Sequence, residues 1–166
     1  MATSLPNGIY TGGAVKFELI DVLVGGKRLS MDKKLEVEVL KEGNFVFVKP
    51  TTFMNDSGRA VRKIIDYYKV GLDNLVVCHD DLDLKLGEYK VQMGVGPKVH
   101  NGITSIEEYI GSKQFLRVRL GIDNRFGDRS LAGADYVLAK FSKDEQETFE
   151  ELLEEVSEEL LVTLGL

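Results

Sequence analysis

A chain of 166 residues with one cysteine, Cys78, has the length of a single domain with its own core, and it excludes an internal disulfide or a cysteine-built metal centre. The net charge of −6 is unevenly spread: residues 143–166 hold nine carboxylates against Lys143 alone and so carry −8, which leaves +2 on residues 1–142. No apolar run reaches the roughly 18 residues of a membrane span, and the first residues show neither a charged n-region nor an apolar h-region.

Along the chain, apolar residues at helical spacing predict a helix over Val15–Val24 that Gly25-Gly26 ends. Leu35–Leu40 alternates, Glu42-Gly43-Asn44 turns, and Phe45–Val48 returns, which is a β-hairpin. Asn55 or Ser57 then caps a helix running to about Lys69, with Val61, Ile64, Ile65 and Tyr68 on its buried stripe. Asn74–His79 reads as a short strand buried on both faces, Gly87–Met93 as another, and Gly94–Val99 as a glycine-containing loop. Asn101 caps a helix to about Ile110, Phe115–Ile122 is a strand, the loop over Asp123–Gly133 is rich in Gly, Asp and Arg, and an acidic helix follows Ser142. Strands alternating with helices, without repeats or linkers, predict one three-layer α/β domain over residues 1–166 with a mixed, largely parallel sheet.

In such a sheet, ligands gather beyond the carboxyl ends of the strands. Asn55 follows the strand ending at Pro50, Asp80 follows the strand ending at His79, and Asn101 opens a helix whose first amides favour an anion or a carbonyl oxygen. Three polar side chains from separate segments are thus expected around one cleft. Each also has a structural use, Asn55 and Asn101 as caps and Asp80 as a turn residue. Asp80, Asp81 and Asp83 could be read as a Mg²⁺ cluster, but alternation along an extended segment sends Asp81 away from its neighbours. Gly94-Val95-Gly96 lacks the strand-then-helix context of a dinucleotide fingerprint. The acidic C-terminal helix reads as a solvated face, and the mildly basic remainder leaves room for a local positive patch.

Three segments, Lys49-Pro50-Thr51-Thr52-Phe53-Met54-Asn55-Asp56-Ser57-Gly58, Cys78-His79-Asp80-Asp81-Leu82-Asp83 and Val99-His100-Asn101-Gly102, together resemble the bacterial-type peptidyl-tRNA hydrolase family. The resemblance implies hydrolysis of the ester between a peptide and the 3′ ribose of tRNA, with water and without metal or cofactor. It further implies a monomer in the cytoplasm or an organelle interior, with peptidyl-tRNA or another RNA as partner. By resemblance, Asp80 is a carboxylate that holds a histidine base in one tautomer, and Asn55 and Asn101 are amides that position the substrate and its oxyanion. Met54 lines the peptide cleft, His100 supports the same wall, and Asn7 echoes a substrate-binding Asn. Lys90 and Arg119 match positions that meet tRNA phosphates, with Lys98, Arg117 and Arg125 as neighbours. Where the family carries its catalytic histidine, this chain reads Thr11-Gly12-Gly13-Ala14, with Gly13 in place of the imidazole. The two histidines present, His79 and His100, already occupy their own family positions; His100, nearer the cleft, is the better substitute base. Asp81 stands for a Glu and Val99 for a Gly, and Met1–Tyr10 shows no counterpart of the family's opening central strand. Weak or lost hydrolysis is therefore expected, the alternative being a tRNA- or RNA-binding protein without catalysis.

Overall fold

The computed structural model describes residues 7–12, 18–125, 136 and 140–165. Its sheet has seven strands in the order β2-β3-β4-β1-β5-β7-β6. β1 (Asn7–Gly12), β4 (Phe45–Pro50), β5 (Leu75–Lys85) and β7 (Leu116–Asp123) run parallel, while β2 (Ser30–Asp32) and β3 (Val37–Glu42) extend one side antiparallel and β6 (Tyr89–Met93) closes the other. Strands of the parallel block must be apolar on both faces, and Leu75, Val76, Val77 and Cys78 of β5 are all buried. Burial raises the Cys78 thiol far above its ordinary pKa, so it stays protonated and inert.

Two helical layers cover the sheet. On one face α1 (Glu18–Leu23) and α4 (Lys143–Leu164) bring Leu19, Ile20, Phe149, Leu152 and Val156 against Val76, Cys78, Val118 and Leu120. On the other, α2 (Ser57–Tyr68) and α3 (Asn101–Ile110) bring Ala60, Val61, Ile64, Ile103 and Ile106 against Val46, Val48, Leu75 and Val77. α4 opens with a capping box in which Ser142 and Glu145 satisfy each other's backbone amides. Phe149, Leu152, Leu153, Val156 and Leu160 are buried while Glu147, Glu150, Glu151, Glu154, Glu155, Glu158 and Glu159 stay exposed. α2 and α3 approach closely at Gly58, whose amide donates to Ser105 Oγ at 3.1 Å and where a Cβ would lie 2.1 Å from the Ser105 carbonyl oxygen. Glycine is required there by proximity, not by dihedral freedom.

Several boundaries depart from the sequence reading. The central strand without a counterpart in the wording of Met1–Tyr10 is present: Asn7–Tyr10 pairs with Phe45–Val48, and Gly8–Gly12 pairs with Leu75–His79. Asn-Gly-Ile-Tyr-Thr-Gly has little strand character of its own. Two neighbouring strands with unpaired amides and carbonyls supply the reason it extends. β5 continues through the aspartates to Lys85, with an irregularity between Asp81 and Lys85, so Asp80 lies within the strand and not after it. α2 is capped by neither proposed residue: Met54–Asp56 forms a 3-10 turn, Asp56 occupies the N-cap with its carboxylate turned to Arg59 and not to the helix amides, and Ser57 is the first helical residue. Residues 13–17, including Gly13, and residues 126–133 of the Asp123–Gly133 loop lie outside the described residues.

Candidate active site

The first turn of α3 organises the site. Its N-cap is His100 and not Asn101: the ring Nδ1 accepts from the amides of Gly102 at 3.1 Å and Ile103 at 3.2 Å. Imidazole is an uncommon cap, and nothing in His-Asn-Gly marks it over the better-known Asn. Displaced from that duty, Asn101 opens the helix with its side chain exposed. The other ring nitrogen of His100, Nε2, lies 3.3 Å from Oδ1 of Asp80, whose side chain is 5% exposed. The 3-10 turn of Met54–Asp56 packs against α3. Met54 Cγ closes on Gly102, where an added Cβ would meet both it and the His100 ring, and Asn55 is exposed on the same turn. Asp80 and His100 thus meet at the carboxyl edge of the parallel strands, Met54 closes on the helix turn that His100 caps, and Asn55 and Asn101 sit on the same two segments.

Asn7 does not join them. It pairs with Phe45 at the amino end of β1, and the site lies at the carboxyl end, opposite Gly12 and His79. Five residues of extended chain separate the two ends by roughly 16 Å, which removes Asn7 from the candidate set.

His79 shares the α2–α3 face with Leu75 and Val77, as alternation requires, and packs edge-to-face on His100 with centroids 5.2 Å apart. Its Nδ1–H donates to the Asp80 carbonyl oxygen at 2.7 Å. Burial first, then the neighbouring His100, lowers its pKa to about 3, so the ring is neutral in the fold. Between pH 6.5 and 3 the unfolded chain takes up a proton that the folded chain refuses. Stability from this group is therefore complete above about pH 6.5 and is lost as pH falls, by at most about 1.4 kcal/mol per pH unit. Thermal melts across that range should show His79→Gln losing stability less steeply with acid than the parent; equal slopes would disprove the assignment.

The aspartates of β5 divide their contacts. Asp81, fully buried, accepts from Arg119 Nε at 2.7 Å through Oδ2 and from the Asp83 amide at 2.8 Å through Oδ1. Asp83 Oδ2 accepts from the Lys98 amide at 3.0 Å, so the loop leading to His100 is tied to the strand that carries Asp80. Arg119 also donates to Gln92 at 2.8 Å and is 7% exposed. Its guanidinium is thus part of the scaffold, which corrects its reading as an open phosphate contact. The signal was available: Asp81 and Arg119 lie on the same sheet face in adjacent strands, since His79 pairs with Arg119 and Asp81 with Gly121.

Lys90, paired in register with Arg119 on the edge strand, is exposed. Arg117 is 1% exposed, bonds Glu107 at 2.7 Å and lies over the Phe115 ring, while Arg125 pairs with Asp123. Lys98 keeps an exposed side chain. A cleft of about 880 Å³ opens at the carboxyl ends of β5 and β7, lined by Leu82, Asp83, Lys85, Lys98, Arg119 and Asn124 among others; Asp80, His100, Met54, Asn55 and Asn101 do not line it.

Fold and site together define an α/β protein with an open mixed sheet and a polar cleft beyond its parallel strand ends. The family model described as peptidyl-tRNA hydrolase matches residues 10–165, and the chain belongs to that family. It is 40% identical over 146 residues to a peptidyl-tRNA hydrolase of Aliarcobacter butzleri, covering 87% of this chain and 78% of the relative. It is 37% identical to one of Staphylococcus saprophyticus, covering 84% and 75%. The crystal structure of peptidyl-tRNA hydrolase from Acinetobacter baumannii shares the fold with a TM-score of 0.79 at 24% identity, covering 99% of this chain and 92% of that one. Among the described residues no helix is long and apolar enough to cross a membrane.

Proposed function

We propose that this chain holds the 3′ end of peptidyl-tRNA and hydrolyses its ester slowly, without a histidine base. The observation that carries the reading is the contact of Asp80 with His100 at the strand ends, with Met54 against the turn that His100 caps and Asn55 and Asn101 exposed on the same two segments. In this reading the two exposed amides hold the acyl carbonyl and the terminal ribose, Met54 faces the peptide, and Asp80 orients the attacking water. Neither imidazole is free to take the proton. The lone pair of His100 is turned into α3, and His79 Nε2 is buried away from solvent. A carboxylate is a weaker general base than imidazole, so turnover is slower than with a histidine by about 10²–10⁴-fold.

Single-turnover hydrolysis of an N-acetyl-aminoacyl-tRNA at excess protein tests the reading. Slow release of the acyl group, abolished in Asn101→Ala, supports it. Tight tRNA binding with no hydrolysis would leave only the binding half.

Exposed Lys90 and Lys98 are the proposed phosphate contacts, with Arg119 shaping the surface behind Lys90. Lys90→Ala should weaken tRNA binding uniformly across sequences and lower the slope of log affinity against log salt by about one. A titration from low to moderate salt measures this, and an unchanged slope would exclude Lys90 from the interface.

A further inference from the structure

His100 touches the described site at two points that no sequence motif links. Neutral imidazole has one N–H and one lone pair. Because Nδ1 accepts from the amides of Gly102 and Ile103, it bears no proton, and the ring proton must sit on Nε2. That N–H faces Asp80 Oδ1. The helix terminus therefore fixes the tautomer, and the tautomer fixes the direction of the bond: imidazole donates and carboxylate accepts. The side chain is 7% exposed and is backed by the neutral ring of His79, so it has little room to turn.

We infer that His100 is a positioning residue that locks the first turn of α3, and with it Asn101, to the Asp80 carboxylate, so that amide and acid face substrate in fixed register. In a chain with Gly13 where the family carries its base, this imidazole supplies an N–H for the carboxylate and takes no proton from water.

The inference rests on the proposed function for its catalytic consequence but not for its geometry, and the test separates the two. Asparagine is a good helix cap but is too short to span from α3 to Asp80. His100→Asn, which keeps the cap, should melt above His100→Ala yet lower the single-turnover rate at saturating protein on the order of tenfold, with little change in the protein concentration giving half-maximal rate. His100→Ala should lose both rate and melting temperature. A wild-type rate in His100→Asn would show that the cap alone matters and would overturn the inference. The second readout needs no turnover. Long-range ¹H–¹⁵N spectra at neutral pH should show His100 protonated on Nε2 and bare on Nδ1, with the Nε2 resonance moved in Asp80→Ala. A proton on Nδ1, or an Nε2 resonance indifferent to Asp80→Ala, would overturn it even if the parent proves inactive. Absence of hydrolysis with both spectral results as expected would instead remove only the proposed ester chemistry.

Discussion

Replacing Gly13 with histidine is expected to raise the single-turnover rate on peptidyl-tRNA by about 10²–10⁴-fold, the usual contribution of a placed general base. The site already contains the groups such a base needs. β1 ends at Gly12 opposite His79, one residue before Asp80 on the neighbouring strand, and Gly13 is the next residue in sequence. An imidazole introduced there would be held by the Asp80 carboxylate as a neutral ring with a lone pair for water. The gain should depend on Asp80, so Gly13→His combined with Asp80→Asn should fall back by most of that factor, a coupling that a double-mutant cycle reads directly. The pH–rate profile of Gly13→His should acquire an ascending limb near the ordinary histidine pKa of about 6.5. No gain at any pH, in a variant that melts like the parent, would exclude position 13 as the place of a general base.

Arg119→Met should have the largest effect on stability, about 3–5 kcal/mol, because it leaves Asp81 buried and without its cation. The pair is almost wholly shielded, with side chains 8% and 0% exposed, and water cannot replace the guanidinium without opening the β5–β7 seam. Urea unfolding of the single and double variants tests this. Arg119→Met with Asp81→Leu should recover part of the loss, since no charge then remains inside. A single variant within about 0.5 kcal/mol of the parent would mean that the ion pair is dispensable and that Arg119 is free for RNA after all. Lys90, its exposed partner in register, should show the opposite signature of lost affinity at unchanged stability.

The periodicities carried most of the architecture. Val61, Ile64 and Ile65 marked the buried face of α2, and the unbroken apolar run at 75–78 marked a strand covered on both sides. Asp80, Asn55, Asn101, Met54 and His100 stood out as candidates only through the wording of three motifs, since each residue type is ordinary by itself. What the sequence hid was pairing over distance. Asn7–Gly12 is a strand because of what lies on either side of it, and no local pattern reports a neighbour 40 or 70 residues away. Arg119 looked like an RNA contact because an arginine on a strand near an edge is ambiguous until the facing residue, Asp81, is known. The choice of His100 over Asn101 as cap turned on a one-residue difference in where α3 begins, which propensity does not resolve.

The place of β1 in the sheet also bears on how the molecule assembles. Among the described residues the two flanks of the sheet, β2-β3-β4 and β5-β7-β6, are joined edge to edge by this six-residue ribbon, which precedes in sequence both strands it pairs with. It has no partner until β4 has been made, and its second side stays open until residues 75–79 emerge. Closure is thus a late, long-range event, of the kind that slows folding and leaves sticky edges bare in the meantime. A restraint on Asn7–Gly12 would act on that step before it ever touched the cleft.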